Sequence, residues 1–415
     1  MKKYLALLIL AVCPFIGLKA THFPVLTIKS AKWIEHNDTS IYVLTQEGLE
    51  VINKATLTKT VYNIETGYFM EQERVYQLTY PYGGVGQNAF ALRPDTIWVG
   101  SNNGVLTSIS DGIADTTVLF CDLSVEGDYL GGPHMRYVGI NGIVFDSKGN
   151  MVVGGDNSIS VIYPTGEKEH IAFPTMELGT EVWQMLVDRN DDIWISCTGA
   201  LSNGNGLMKY HIGGTLEVIS ERFENNPPFY VYDVRGLALD NDGHLWLGSS
   251  HKDGVSDDDA AWRAKLLEYD GNEFTSYDVG PSSDIPISIK CDSKGRIWYL
   301  PTMYWKNKPN EGFEYSNGPL CCFDNGEVTR YEWSQDTGYC YCVDIDGDSI
   351  YIGTDNGVLV FCDGAFRWLN NDEAGISDAS SPQNPQSATF DLQGRRIQGE
   401  PKHGVYIKEG KKVMK

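Results

Sequence analysis

Beyond its first twenty residues the chain has no apolar run of about eighteen residues, so it has no membrane-spanning helix of its own. Positive charge is scarce: 33 Lys and Arg stand against 55 Asp and Glu, for a formal charge of −22. Nucleic-acid binding leans on clustered Lys and Arg, so this balance excludes nucleic acid as a partner and disfavours anionic membrane surfaces. Charged residues of both signs make up only 21% of the chain, which is unlike disorder and unlike a coiled coil. No paired C-x-x-C supplies four tetrahedral metal ligands, and no H-x-H or H-E-x-x-H pair occurs. What is abundant is Gly (44) and aromatics, including 10 Trp, as many short strands and tight turns require.

The two ends read as addresses. Residues 1–20 carry Lys2 and Lys3, an apolar run from Leu5 to Ile16 and a small residue at Ala20, the anatomy of a cleaved secretory signal. Its removal takes Lys2, Lys3 and Lys19 and shifts the charge to −25. The expected product is exported: extracellular, at the cell surface or periplasmic. Eight cysteines then remain, and export leaves buried free thiols, disulfides and metal ligation all open for them.

Between the ends lies a repeat. Asp146 to Val152, Asp188 to Trp194, Asp240 to Trp246 and Asp292 to Trp298 each span six residues, across a polar turn between two apolar strands. Weaker copies surround Tyr42, Trp98 and Tyr351. These seven anchors are 56, 54, 42, 52, 52 and 53 residues apart, a period that belongs to β-propellers. In each copy the Asp can accept hydrogen bonds from turn amides, and the following aromatic can wedge between blades. The expected fold is all-β: a seven-bladed β-propeller of four-stranded antiparallel blades over residues 21–375, a linker at 376–388 and a short β-hairpin tail at 389–415. The early start of the first copy, near Thr27, leaves room for one blade to mix N- and C-terminal strands.

The stretches Asp240-Asn-Asp-Gly-His-Leu-Trp246-Leu-Gly248 and Asp355-Asn-Gly-Val-Leu resemble the repeat of two-component-regulator propellers, the sensor domains of hybrid histidine kinases. Streptogramin lyases carry a very similar pattern, with Glu, His and a metal around the channel; those residues cannot be matched one by one here. The tail, with Phe390-Asp-Leu-Gln-Gly394-Arg395, Gly404-Val-Tyr406-Ile and Gly410-Lys-Lys-Val-Met-Lys415, resembles the last strands of a type IX secretion sorting domain. That resemblance implies a partner in the secretion machinery. Residues 390–415 hold seven basic and three acidic side chains, opposite in sign to the rest of the chain.

In such blades the Asp turns lie on one face and the B-to-C loops and inter-blade connectors on the other. The expected loops are tight at Ser101–Gly104, Asp156–Asn157 and Thr354–Gly357 but long at Thr198–Gly206, Ser249–Lys265 and Pro301–Gly318. They put His251, Asp258, Trp262, Arg263, Tyr304, Trp305 and Tyr315 on one rim, joined by His134 and Arg136 from a connector. Aromatic planes beside carboxylates and cations suit a sugar or a peptide. The sequence therefore reads as an exported propeller that binds a glycan, peptide or protein non-covalently through His251, Asp258, Trp262, Arg263, Tyr304, Trp305, Tyr315 and Arg136. Two alternatives stay open: a lyase or hydrolase over the central channel with His134 and His251 as acid–base candidates, and an adhesive module. His244 reads as an exposed turn residue. No cofactor or metal is expected, although Asp344-Ile-Asp346-Gly-Asp348 and Asp257–Asp259 leave a divalent cation open.

Overall fold

The computed structural model describes residues 28, 30–45, 47–64, 89–101, 104–118, 140–155, 158–174, 180–199, 206–219, 234–252, 262–281, 285–302 and 319–369, and four short strands of the C-terminal unit. Among them there is no helix. Chain contacts separate a unit ending at Asn371 from one beginning at Asp372.

The first unit is a seven-bladed propeller, each blade a four-stranded antiparallel sheet with its strands A to D in chain order. Blade 1 holds β1–β4 (Trp33–His36, Ser40–Thr45, Gly48–Asn53, Lys59–Tyr62). Blade 2 holds β5–β8 (Phe90–Arg93, Thr96–Gly100, Val105–Ser110, Ile113–Val118) and blade 3 β9–β12 (Gly142–Phe145, Met151–Gly154, Ser158–Ile162, Lys168–Ala172). Blade 4 holds β13–β16 (Thr180–Val187, Asp192–Gly199, Leu207–His211, Leu216–Val218) and blade 5 β17–β20 (Leu237–Leu239, Leu245–Lys252, Trp262–Tyr269, Phe274–Pro281). Blade 6 holds β21–β24 (Ile285–Cys291, Ile297–Thr302, Leu320–Asp324, Glu327–Tyr331) and blade 7 β25–β28 (Cys340–Asp346, Ser349–Thr354, Gly357–Cys362, Ala365–Trp368).

The turn Asp does two jobs. Asp240 Oδ1 accepts the amides of Asp242, Gly243 and His244 at 2.8–3.0 Å, while Oδ2 takes the indole N–H of Trp246 at 2.9 Å. Asp188 and Asp292 repeat this with Trp194 and Trp298 at 3.1 and 3.0 Å. In blade 3, where Val152 replaces Trp, Asp146 Oδ2 takes the Asn150 amide instead at 2.7 Å. The six-residue spacing is therefore a hydrogen bond as well as a period.

The same indole packs across to the next blade: Trp194 on Tyr269, Trp246 on Phe323 and Trp298 on Phe361, with ring centres 5.6–5.9 Å apart. The core is accordingly a set of apolar layers between blades, such as Trp194, Leu237 and Tyr269 between blades 4 and 5. Gly248, two residues after its Trp, is small because a Cβ there would lie 2.0 Å from the carbonyl oxygen of Pro286 on the neighbouring inner strand.

Blade 7 is built wholly from consecutive strands, so the ring closes without mixing the two ends of the chain in one sheet. It closes instead by docking: the amides of Ser30 and Ala31 donate to the carbonyls of Asp355 and Thr354 at 2.7 and 2.8 Å. The chain just before β1 thus satisfies the end of β26, and strand exchange is not needed.

The C-terminal unit is more than the expected hairpin. Strands β29 (Thr389–Phe390), β30 (Arg396–Ile397), β31 (Val405–Lys408) and β32 (Lys411–Met414) form a four-stranded sheet in the order β30-β29-β31-β32. The hairpin β31–β32 is its edge, and the two residues of β29 pair with both β30 and β31.

Candidate functional site

Blades 4 to 6 differ from the others on the loop-bearing side. Measured from the anchor residue, strand B ends two residues on in blades 2 and 3, at Gly100 and Gly154. It ends three residues on in blades 1 and 7, at Thr45 and Thr354. In blades 4, 5 and 6 it continues for five, six and four residues, to Gly199, Lys252 and Thr302. At about 3.3 Å per residue these three strands extend roughly 7–13 Å beyond the shortest ones. In blade 5 strands C and D, β19 and β20, are eight residues long as well.

Part of each expected loop is therefore ladder. The blade-5 loop set at Ser249–Lys265 shrinks to 253–261, because β18 runs through Lys252 and β19 begins at Trp262. Backbone pairing continues that far, placing His251 opposite Arg263 and Lys252 opposite Trp262. Asp258, Tyr304, Trp305, Tyr315, His134 and Arg136 lie outside the described residues.

At the head of the inner strands, on the same side, Tyr341 donates its hydroxyl to Asp355, whose carboxylate also accepts Lys32 Nζ at 3.3 Å and the Tyr339 amide at 2.9 Å. The Lys32 ammonium sits 3.4 Å from the centre of the Tyr341 ring. Burial pulls Lys32 below the usual lysine range although Asp355 opposes it, and burial with the Asp355 hydrogen bond pushes Tyr341 up. In blade 5 the Arg235 guanidinium lies 5.0 Å over the Trp183 ring.

Nearer the Asp turns the inner strands carry an ion cluster that the sequence did not reveal. His36 Nδ1 lies 2.5 Å from Asp344 Oδ2 and its Nε2 3.6 Å from Asp346 Oδ1, while Lys54 binds the same Asp346. Lys290 reaches Glu35 at 3.5 Å and Asp344 at 3.7 Å, and Trp33 donates its indole N–H to Glu35 at 3.2 Å. The hydrogen bond to Asp344 raises His36. Burial pushes Glu35 up, and Glu35 and Asp344 hold Lys290 above its ordinary range against burial. Asp344 stays low despite its burial because His36 and Lys290 face it. The signal was present as isolated charges inside apolar strands, at Glu35, Lys290 and Asp344, but nothing local says that three distant strands bring them together.

These groups pair with one another across blades 1, 6 and 7. The two carboxylates Asp344 and Asp346 of the aspartate run are thus engaged by His36, Lys54 and Lys290. His244 departs from the sequence expectation. It is half-buried, and its Nδ1 lies 2.7 Å from Glu268 Oε1, which raises its pKa. The reason is that the residue after its turn enters β18 directly beside β19, where Glu268 stands opposite Trp246.

Solved structures share this fold at low identity. Virginiamycin B lyase from Staphylococcus aureus superposes with a TM-score of 0.57 at 14% identity, covering 81% of this chain and 96% of the lyase. PorZ, a surface component of the type IX secretion system of Porphyromonas gingivalis, gives 0.53 at 14% identity over 92% of this chain, which spans 55% of PorZ. The extracellular domain of the two-component-system protein BT4673 from B. thetaiotaomicron gives 0.42 at 17% identity, over 80% of this chain and 45% of that one. The sequence matches no protein-family model and no curated protein. Likeness at this level establishes the propeller, and the neighbours' activities remain theirs.

Proposed function

We propose that this chain is an exported, surface-exposed propeller that binds a glycan or peptide non-covalently over the raised rim of blades 4 to 6. The observation that carries the reading is the lengthening of strand B in those three adjacent blades, to Gly199, Lys252 and Thr302, which builds a one-sided wall on a rigid ring. Trp262, Tyr304, Trp305 and Tyr315 would bury the ligand's apolar face; Asp258, Arg263, His251 and Arg136 would meet its polar groups. Export is supported by the signal-like start and by the surface location named for PorZ. The four-stranded C-terminal unit with its basic strands would be read by the secretion machinery.

The test is a glycan and peptide array read with the intact chain, followed by titration of the strongest hits against Trp fluorescence. Trp262→Ala and Trp305→Ala should each weaken binding by about tenfold or more, as buried aromatic anchors do. Unchanged affinity in both would reject the site. Turnover of a hit that is abolished by chelator, or by His134→Ala and His251→Ala, would favour the lyase or hydrolase reading instead.

A further inference from the structure

The joints between blades are not equally filled. In strand C, the residue paired with the one just before the anchor is Tyr210, Tyr269, Phe323 and Phe361 in blades 4 to 7. In blades 1 to 3 it is Ile52, Ile109 and Ile162. Where a ring is present, it meets the anchor of the preceding blade, as Phe323 meets Trp246. Between blades 2 and 3 the larger Trp98 reaches Phe145. Between blades 7 and 1 the smaller pair, Tyr351 and Ile52, is accompanied by the Asp346–Lys54–His36 ion cluster. Between blades 1 and 2 a Tyr again faces an Ile, Tyr42 against Ile109, with the Phe90 ring 6.0 Å from Tyr42, and beside them a cleft of about 540 Å³ remains.

The size falls within the roughly 300–1,000 Å³ of small-molecule sites. Tyr42 and Ile109 form a buried floor, and Tyr62 and Ile97 are half-buried walls. Asp95 and Asp111 stand exposed at the mouth, and neither makes an ion pair with a described residue. Two cationic groups share the lining, and both are engaged elsewhere. Arg93 lies 4.9 Å over the Phe145 ring of blade 3, and His36 is held by Asp344. Directly after the Asp111–Gly112 turn, Ile113 is 72% exposed, the most exposed large apolar side chain among the described residues. A tyrosine-lined cleft of mixed polarity, with two carboxylates at its lip that make no ion pair with a described residue, suits a positive charge on an aromatic body, whose ring packs on tyrosine while the cation meets carboxylate and π-face together.

We propose that this cleft is a binding site for an arylalkylammonium group, on the Asp-turn face and separate from the rim of blades 4 to 6. Phenethylammonium is the probe, compared with its neutral analogue 2-phenylethanol and with the anion phenylacetate, by saturation-transfer NMR on the intact chain. Saturable binding is expected in the order ammonium, alcohol, carboxylate. Asp95→Asn with Asp111→Asn should weaken the ammonium by about fivefold or more, on the order of two exposed ion pairs, and should leave the alcohol unchanged. Ile109→Phe restores the ring found in blades 4 to 7 and should abolish binding without lowering the melting temperature. Should that variant fail to fold, the double Asp variant decides alone. No saturable ammonium binding, equal binding of alcohol and ammonium, binding that survives Ile109→Phe, or ammonium affinity left unchanged by the double Asp change would each overturn the proposal.

Discussion

Trp298 donates its indole N–H to Asp292 Oδ2 at 3.0 Å while its ring packs on Phe361 of the next blade, so one residue ties a turn to a joint. Asp292 also accepts the amides of Lys294 and Arg296 at 2.9 Å and the Arg296 guanidinium at 2.7 Å, from a site that is 6% exposed. Those contacts outweigh its burial and keep its carboxyl below the ordinary range. Asp292→Ala strips these buried donors of their acceptor at once and should cost about 2–4 kcal/mol. Trp298→Phe keeps most of the ring and loses one hydrogen bond together with part of the apolar contact, about 1–2 kcal/mol. Urea unfolding of the two variants beside the parent checks both the size and the order.

The seven-blade fold was legible because its signal is local: Asp240 and Trp246 are six residues apart, and the hydrogen bond that links them is the motif itself. The Gly of the motif was legible too, but its cause, the Pro286 carbonyl against Gly248, belongs to the neighbouring blade. The ion cluster was hidden because Lys290 and Glu35 are 255 residues apart and meet only when the ring closes. The cleft between blades 1 and 2 was hidden differently. Ile109 looks like any strand residue until the register shows that blades 4 to 7 put an aromatic there.

A pH dependence follows from His36. Its hydrogen bond to Asp344 raises the folded pKa above the unfolded value, so the stabilisation is complete below the ordinary histidine range and fades as pH rises through the folded pKa. The opposite sign holds for Asp344: its lowered carboxyl adds stability above the ordinary carboxylate range, which is lost on acidification. The parent should therefore lose stability as pH rises above the ordinary histidine range, by about 1.5–3 kcal/mol for a hydrogen bond to a charged group. His36→Gln should flatten that slope. Melting temperatures recorded across the range would show it, and an unchanged slope in the variant would refute the assignment.

The thiols should be silent in the folded protein. Among the described residues, Cys197, Cys291, Cys321, Cys322, Cys340, Cys342 and Cys362 form no disulfide. Burial raises the thiols of Cys291 and Cys322 to about 11 and that of Cys340 to about 12, and raises Cys197 and Cys342 as well. Thiolate, the reactive form, is therefore scarce at neutral pH. Ellman's reagent at pH 8 should label the buried group, Cys197, Cys321, Cys322 and Cys342, only after urea is added, and reductant should leave the melting temperature unchanged.

The ring has one seam that no covalent or strand-exchange device closes, and Asp355 holds its loop-side end. Its carboxylate receives Lys32, the Tyr341 hydroxyl and the Tyr339 amide, and its carbonyl receives the Ser30 amide. Asp355→Ala keeps the carbonyl but leaves a buried ammonium without its counter-charge, the most costly way to break such a pair, about 3–5 kcal/mol. Asp355→Asn should cost less, since an amide can still accept from Tyr341 and Lys32. The loss should also be localised, because the Ser30 and Ala31 docking bonds lie beside the carboxylate while the joints of blades 3 to 6 do not depend on it. Hydrogen exchange should therefore quicken first in β1 and β25–β28 in the Ala variant, with β13–β24 still protected. Uniform loss of protection around the ring would show that closure is shared by all seven joints and does not hinge on this seam.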